Sequence, residues 1–245
     1  MIKEAIILAG GLGTRLRSVI FDKPKCMAPV AGKPFLHYLI HFLQKQGIEN
    51  FIFSVGYMHE MIEEYLKENY PELIYKISLE NEPLGTGGAT KSACNKTSQK
   101  NVLICNGDTL YKIDCDSLSK FHESVESVCT LSLKPMNNFD RYGVVELNED
   151  SSVRSFKEKQ FYKSGLINGG VYALNTIEFL KENLPDQFSF EKDYLEKNLL
   201  QQTNLAYGQA GKKGRFYAQI QDKYFIDIGI PEDYERGQVE LKNEK

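Results

Sequence analysis

Two stretches of this chain carry residues whose types and spacing suit phosphate chemistry. Near the N-terminus, Leu8-Ala9-Gly10-Gly11-Leu12-Gly13-Thr14-Arg15-Leu16 closes the apolar run Ala5 to Ala9. Gly10, Gly11 and Gly13 let backbone N–H groups approach a phosphate chain and form an anion-binding concavity. Arg15 adds a forked, permanently charged donor that matches phosphate oxygens. A tight strand-to-helix turn that binds nothing would need the same glycines, so the loop alone leaves both readings open. Two other readings fail on details. A P-loop requires Lys followed by Ser or Thr after its last glycine, and here Thr14-Arg15 follows Gly13. A dinucleotide G-x-G-x-x-G starting at Gly11 would put its third glycine where Leu16 stands. Val55-Gly56-Tyr57 also occupies the place of the acid that would hold a ribose.

The second stretch is a pair of carboxylates far apart in sequence. Asn106-Gly107-Asp108 closes the apolar run Val102 to Cys105, and strand ends are where α/β sheets place ligands. A carboxylate there is a hard-oxygen ligand suited to Mg²⁺, or else the acceptor of an Asx turn. Asp227 lies in Phe225-Ile226-Asp227-Ile228-Gly229, flanked by apolar residues. An uncompensated charge there is costly, so Asp227 must meet a cation or dense hydrogen bonding. Asp114 and Asp116 read instead as caps of a helix starting near Ser117. His37 and His41 have the spacing of a zinc pair but lack the glutamate of H-E-x-x-H, and read as packed or surface histidines. Cys26 has no paired base beside it and reads as structural.

The elements that must position these groups follow from periodicity. Ala5–Ala9, Phe51–Val55, Ile74–Leu79 and Val102–Cys105 are strand-like, the first a continuous apolar run suited to a parallel strand buried on both faces. Helices are expected over 34–46, around Ile62 to Leu66, and over 88–94, so strands and helices alternate as in a doubly wound α/β sheet. After about residue 126 the rhythm changes: strands are expected at 128–133, 143–147, 153–156, 169–174, 215–218 and 224–228. Helices fall near 176–183 and 191–200, and Pro231 opens a last one. No linker-like composition separates the halves. One domain is expected over 1–245, with a front half at about 1–126 and a back half at about 127–245.

Composition narrows the classes further. The 245 residues are 42% hydrophobic, enough for a substantial core. The net charge of -3, with both signs interspersed, gives no electrostatic case for a nucleic-acid partner or an anionic membrane surface. The apolar stretch before Gly10 is too short for a membrane span or a signal core, so a cytoplasmic protein is expected. Five irregularly spaced cysteines without a C-x-x-C pair fit reduced thiols.

The glycine loop is followed by Asp22-Lys23-Pro24-Lys25-Cys26-Met27-Ala28-Pro29-Val30-Ala31-Gly32-Lys33-Pro34. Together these segments resemble the signature of the sugar-1-phosphate nucleotidyltransferases: G-G-x-G-T-R-L, then P-K-x-x-x-P-V and G-K-P. The resemblance continues through Glu82-Pro83-Leu84-Gly85-Thr86-Gly87-Gly88-Ala89, Asn106-Gly107-Asp108, Glu158-Lys159, Asn168-Gly169-Gly170 and Asp227-Ile228-Gly229-Ile230-Pro231, nearly the whole chain. Arg17-Ser18-Val19 and Pro29 to Leu36 are most similar to the D-glycero-D-manno-heptose 1-phosphate guanylyltransferases within that family.

The resemblance implies a Rossmann-like doubly wound mixed sheet of the nucleotide-diphospho-sugar transferase type, with an inserted β-rich sugar-binding part. It also implies that the front half is nucleotide-binding and the back half sugar-binding. It implies that GTP, or another nucleoside triphosphate, and a sugar 1-phosphate yield a nucleotide sugar and pyrophosphate for surface-polysaccharide synthesis. Arg15 would hold the leaving phosphates, Lys25 would sit by the α-phosphate and the attacking phosphate, and Asp108 and Asp227 would share one Mg²⁺. Leu8, Ala9, Gly10, Gly11, Gly13 and Thr14 would line the nucleotide, and Leu84, Gly85 and Thr86 its base. Guanine presents N–H donors, which Glu80 or Glu82 could accept, though an exposed loop acid reads as well at either position. Gly143, Glu158, Asn168 and Gly169 would contact the sugar, with Lys159 and Lys192 as candidates for its phosphate. Lys192 reads also as a solvated helix residue. Mannose or glucose 1-phosphate with another base, or a non-catalytic nucleotide-sugar sensor, are the competing readings, and a homodimer is an allowed assembly.

Overall fold

The computed structural model describes residues 1–11, 16, 20–199 and 215–244; Gly13, Thr14 and Arg15 lie outside the described residues. β1 (Glu4–Leu8) carries Ala5, Ile6 and Ile7, all fully buried. Its burial follows from its place: parallel neighbours β4 (Asn50–Val55) and β6 (Asn101–Asn106) flank it on both edges. Alternation then feeds two cores. Ile6, Ile52 and Ile104 enter one, and Ile7, Phe51 and Phe53 enter the other.

The crossover helices come from the expected periodic segments. α1 (Phe35–Lys45) buries Phe35, Leu36, Leu39, Ile40 and Leu43 on one face. α2 (His59–Asn69) leads to β5 (Ile74–Leu79), parallel to β4. α3 (Gly85–Cys94) starts three residues earlier than periodicity suggests, because Gly85, Gly87 and Gly88 carry no apolar side chain to mark its first turn.

The change of rhythm after residue 126 is a change from parallel to antiparallel pairing. β8 (Cys129–Phe139), β9 (Val144–Leu147), β10 (Val153–Lys157) and β11 (Tyr162–Asn175) follow in order, and β12 (Phe216–Ile220) lies parallel to β8. Among the described residues these join β1, β4, β5 and β6 in one nine-stranded sheet with the path β10-β9-β11-β6-β1-β4-β5, β8 pairing with β11 and β12. β11 is far longer than the expected 169–174 run. Gly170, at φ +69, bends it, and the register against β8 shifts between Asn168 and Tyr172. Before the bend Ile167 meets β9; after it Val171–Asn175 adds to β6. Asn168 therefore stands at the corner between the two halves.

Short elements complete the frame. β2 (Pro29–Val30) and β3 (Lys33–Pro34) form a small hairpin before α1, and α4 (Cys115–Ser124) follows β7 (Thr109–Tyr111). Asp114 caps α4 by accepting from Ser117 N at 2.9 Å; Asp116, also expected to cap, instead pairs with Lys120 at 2.6 Å one turn on. α5 (Thr176–Leu180) is shorter than expected, and Phe190–Glu196 winds as a π-helical segment N-capped by Ser189. β13 (Phe225–Asp227) pairs with β7, and α6 (Pro231–Glu240) opens on the proline as expected. α6 ties down the β2–β3 hairpin: Tyr234 and Gln238 donate to Pro29 O at 2.6 and 2.8 Å, and Ala31 N donates to Gln238 Oε1 at 2.8 Å. No described helix is long and apolar enough to cross a membrane.

Candidate active site

β1 has β6 on one edge and β4 on the other, so the crossovers that follow it in the chain run to opposite sides. The loops beyond its C-terminal end consequently diverge and leave a crevice, the switch point at which open α/β sheets bind ligands. Main chain forms its floor: Ala9 N donates to Ser54 O at 2.7 Å, and Gly107 N to Leu8 O at 2.9 Å. A Cβ on Gly107 would stand 2.7 Å from Leu8 O, so only glycine fits there, and one on Gly10 would push the Glu80 carboxylate aside. The cleft above has a volume of about 510 Å³.

Seven of the residues expected around the nucleotide line this cleft: Leu8, Ala9, Gly10, Gly11, Glu80, Gly85 and Thr86. Leu84 does not line it, but its N–H donates to Glu80 Oε2 at 3.3 Å. Ser54 Oγ donates to Glu80 Oε1 at 3.0 Å, so one acceptor position on each carboxylate oxygen stays open. Burial raises the pKa of Glu80 above the ordinary glutamate value, and those two hydrogen bonds only partly offset it. Glu82, the alternative acid, is exposed.

Lys25 and Asp108 face each other across the cleft wall. The Lys25 ammonium pairs with Asp108 Oδ2 and lies 3.7 Å from Asp227 Oδ1. The register that sets Asp227 opposite Thr109 makes this possible, with Ile228 N donating to Asp108 O at 3.0 Å. Gly229 N donates to Asp227 Oδ1 at 2.7 Å, and Tyr142 OH reaches Asp227 Oδ2 at 3.4 Å. Asp227 thus meets both the cation and the hydrogen bonding that its apolar flanks require. Two carboxylates with a cation between them have the donor chemistry to hold a hard divalent ion. Among the described residues no group of three or more His, Cys, Asp or Glu side chains could hold a metal. Cys26 lines the cleft beside Lys25, yet burial pushes its thiol up to about 12, which removes it as a nucleophile.

The family model for nucleotidyl transferases matches residues 4–244. The chain belongs to that family. This transferase is 51% identical over 240 residues, 98% of its length and 99% of the relative's, to the D-glycero-alpha-D-manno-heptose 1-phosphate guanylyltransferase of Aneurinibacillus thermoaerophilus. It is 47% identical over 231 residues, 94% of its length and 96% of the relative's, to the enzyme of the same name from Campylobacter jejuni. The crystal structure of HddC from Yersinia pseudotuberculosis complexed with GMP-PN superposes with a TM-score of 0.80 at 36% identity, covering 97% of the transferase and 98% of that chain.

The expected sugar-side residues of the transferase are less closely gathered. None of Gly143, Glu158, Lys159, Asn168, Gly169 and Lys192 lines the cleft around β1. Gly143 packs its open side against Lys157 O, and Gly169 packs its own against the Tyr111 ring. Glu158 and Lys159 are exposed between β10 and β11, and Lys192 is exposed with its N–H on Ser189 Oγ at 3.2 Å. Asn168 is half-buried and donates to Tyr172 OH at 2.8 Å. Tyr142, beside Gly143, and Glu191, beside Lys192, escaped sequence reasoning. One is an aromatic among many, and the other lies in an acidic helix that reads as solvated.

Proposed function

We propose that this chain transfers GMP from GTP to D-glycero-D-manno-heptose 1-phosphate with Mg²⁺, releasing pyrophosphate and supplying a nucleotide sugar for surface polysaccharide. The observation that carries the reading is the Lys25 ammonium held between Asp108 and Asp227 at the glycine-lined cleft beyond β1. The names of the two relatives that match over nearly the full length support the heptose and the guanine. The front half would take the nucleotide and the back half the sugar, in the cytoplasm.

The reaction joins two polyanions. An oxygen of the sugar phosphate attacks the α-phosphorus of GTP, and the bond from that phosphorus to the bridging oxygen of pyrophosphate breaks. No bond to the protein forms, so the side chains act by positioning and by neutralising charge. Gly10 and Gly11 bring backbone close to the phosphates, and Arg15 meets the leaving pair. Lys25 moves its ammonium from Asp108 to the α-phosphate and the incoming phosphate. Asp108 and Asp227 would hold a Mg²⁺, which would supply charge neutralisation at the phosphate oxygens. Glu80 offers its open acceptor positions to guanine N1–H and N2–H₂, and Gly85 and Thr86 face the base with main chain. Asn168, Gly143, Gly169 and Glu158 hold sugar hydroxyls, with Lys159 and Lys192 on the sugar phosphate.

Pyrophosphate release from ATP, CTP, GTP and UTP, each with heptose, mannose and glucose 1-phosphate, tests the reading. Turnover highest with GTP and the heptose substrate is expected. Failure of that pair alongside turnover of another overturns the specificity, and no turnover with any pair overturns the enzyme.

A further inference from the structure

A single carboxylate bridges the wall that bears the nucleotide and the strand that bears the sugar contacts. Glu191 Oε2 accepts from Thr86 Oγ1 at 2.9 Å, in the first turn of α3, while Glu191 Oε1 accepts from Tyr172 OH at 3.1 Å on β11. Thr86 Oγ1 in turn accepts from Phe190 N at 2.9 Å, and Tyr172 OH accepts from Asn168 Nδ2 at 2.8 Å. Every direction in this chain is set by the centre. A carboxylate only accepts, so both hydroxyls must spend their one proton on it. Tyr172, having donated, can only accept from Asn168, which forces the amide nitrogen toward the ring. The Asn168 oxygen then faces Gly170 N, from which it does accept at 3.1 Å. Burial, with the Glu191 charge beside it, holds the Tyr172 hydroxyl protonated far above its ordinary range, so the donor persists. Thr86 lines the nucleotide cleft, and Asn168 sits at the bend of β11.

We infer that Glu191 is a positioning residue that couples the two substrate sites, transmitting the seating of α3 against the nucleotide to the orientation of the Asn168 amide offered to the sugar. The inference rests on the transferase reading above, with Asn168 on the sugar side. Glu191→Gln is near-isosteric and makes a defined change. One end of the side chain becomes an N–H donor and opposes either the Thr86 or the Tyr172 hydroxyl. Relief at Tyr172 requires that hydroxyl to turn and the Asn168 amide to flip, which forfeits the bond from Gly170.

The experiment is a calorimetric titration of the whole chain, with Mg²⁺, by D-glycero-D-manno-heptose 1-phosphate in the presence and absence of a non-transferable GTP analogue. The wild-type chain is expected to bind the sugar phosphate about 5-fold or more tightly with the analogue bound. Glu191→Gln should bring that ratio close to 1, while the affinity for the analogue alone changes less than threefold. Thr86→Val should also abolish the ratio, and Thr86→Ser should restore it, which keeps the test decisive where Glu191→Gln folds poorly. Coupling retained in Glu191→Gln or Thr86→Val overturns the inference, as does an equal loss of both affinities with the ratio intact, the mark of a merely structural role. A wild-type chain that binds neither ligand overturns the transferase reading itself, and a wild-type chain that binds both without coupling overturns only the inference.

Discussion

The Lys25 ammonium pairs with the Asp108 carboxylate at one oxygen and lies 3.7 Å from Asp227 Oδ1, so one cation from near the start of the chain serves two acids, one from its middle and one from near its end. Lys25 sits in a one-turn 3₁₀ segment whose following hairpin is latched by α6, while Asp108 and Asp227 are brought together by the pairing of β7 and β13. The last elements of the chain therefore assemble chemistry whose other members lie near its start.

That arrangement predicts opposite effects of Lys25→Met on metal affinity and on turnover. With the ammonium gone, Asp108 and Asp227 face each other as like charges, which favours a divalent ion between them. Mn²⁺ binding in the absence of nucleotide, followed by the electron paramagnetic resonance signal of the free ion, should tighten by roughly tenfold, the equivalent of about 1.4 kcal/mol. Turnover should fall by about 10²-fold or more, since a positioned charge at the reacting phosphates is lost. Asp108→Ala should lose turnover on a similar scale and weaken Mn²⁺ binding. Unchanged Mn²⁺ affinity in both variants would contradict the assignment of these acids.

Glu80→Gln should trade specificity for stability. Its carboxylate is raised in pKa chiefly by burial, so the folded chain binds a proton there more tightly than the unfolded chain does. Stability from this group therefore falls as pH rises from the ordinary glutamate range through the raised value, and the ionised form is a cost at pH 7. Glutamine removes that cost and keeps an acceptor for Leu84 N or for Ser54 Oγ. Thermal unfolding at pH 7 should occur at the same temperature or higher. The preference for GTP over ATP should drop about 10- to 100-fold, the scale of a charged hydrogen-bonded pair. In the wild-type chain GTP affinity should weaken on acidification at a pH above the ordinary glutamate value. An intact GTP preference in Glu80→Gln would remove this residue from base reading.

The run Gly85-Thr86-Gly87-Gly88 carries a separate prediction about stability. A Cβ on Gly88 would fall on the backbone oxygen of Asp186, and one on Gly87 would meet the Phe188 ring. A ring can shift and a backbone carbonyl can do so only by moving its segment. Gly88→Ala should accordingly cost about 1–3 kcal/mol and Gly87→Ala less, read from denaturant unfolding midpoints. Equal effects would mean that the Asp186–Phe188 segment is not seated on α3.

These particulars mark where the sequence was legible. Ala5-Ile6-Ile7 and Val102-Leu103-Ile104 announce central parallel strands because burial on both faces leaves no polar alternation, and the glycines after them announce the cleft. The convergence of Asp108 with Asp227 was open only to resemblance, because it depends on two three-residue strands too short to carry a periodicity. The bend in β11 hid the length of that strand, since Gly169-Gly170 reads as a boundary and is an interior shift of register. Glu191 had no signal of its own: its neighbours Asp193 and Glu196 make the segment look like a solvated helix, and only the π-helical winding behind Ser189 turns it toward Thr86 and Tyr172.

From outside the cleft, Asp233 supports the loop that carries Gly143, one of the proposed sugar contacts. Its carboxylate, 7% exposed, accepts from Arg141 and from Arg236 at 2.9 Å. Arg141 precedes Tyr142, which reaches Asp227, and Gly143, so the acid fixes the loop that joins β8 to β9 against α6. It also stands in the first turn of α6, where a negative charge favours the helix dipole. Both arginines are partly exposed, which leaves them water when the acid is removed. Asp233→Ala should therefore cost about 1.5–3 kcal/mol, the range for hydrogen bonds to charged groups, rather than the larger penalty of a stranded buried charge. Because the loop carries Gly143, a proposed sugar contact, KM for the sugar 1-phosphate should rise several-fold while KM for the nucleotide stays near its wild-type value. Arg236→Ala removes a pair within one helix and should be mild in both measurements. If Asp233→Ala instead raised KM for the nucleotide alone, Arg141 and its loop would belong to the other substrate.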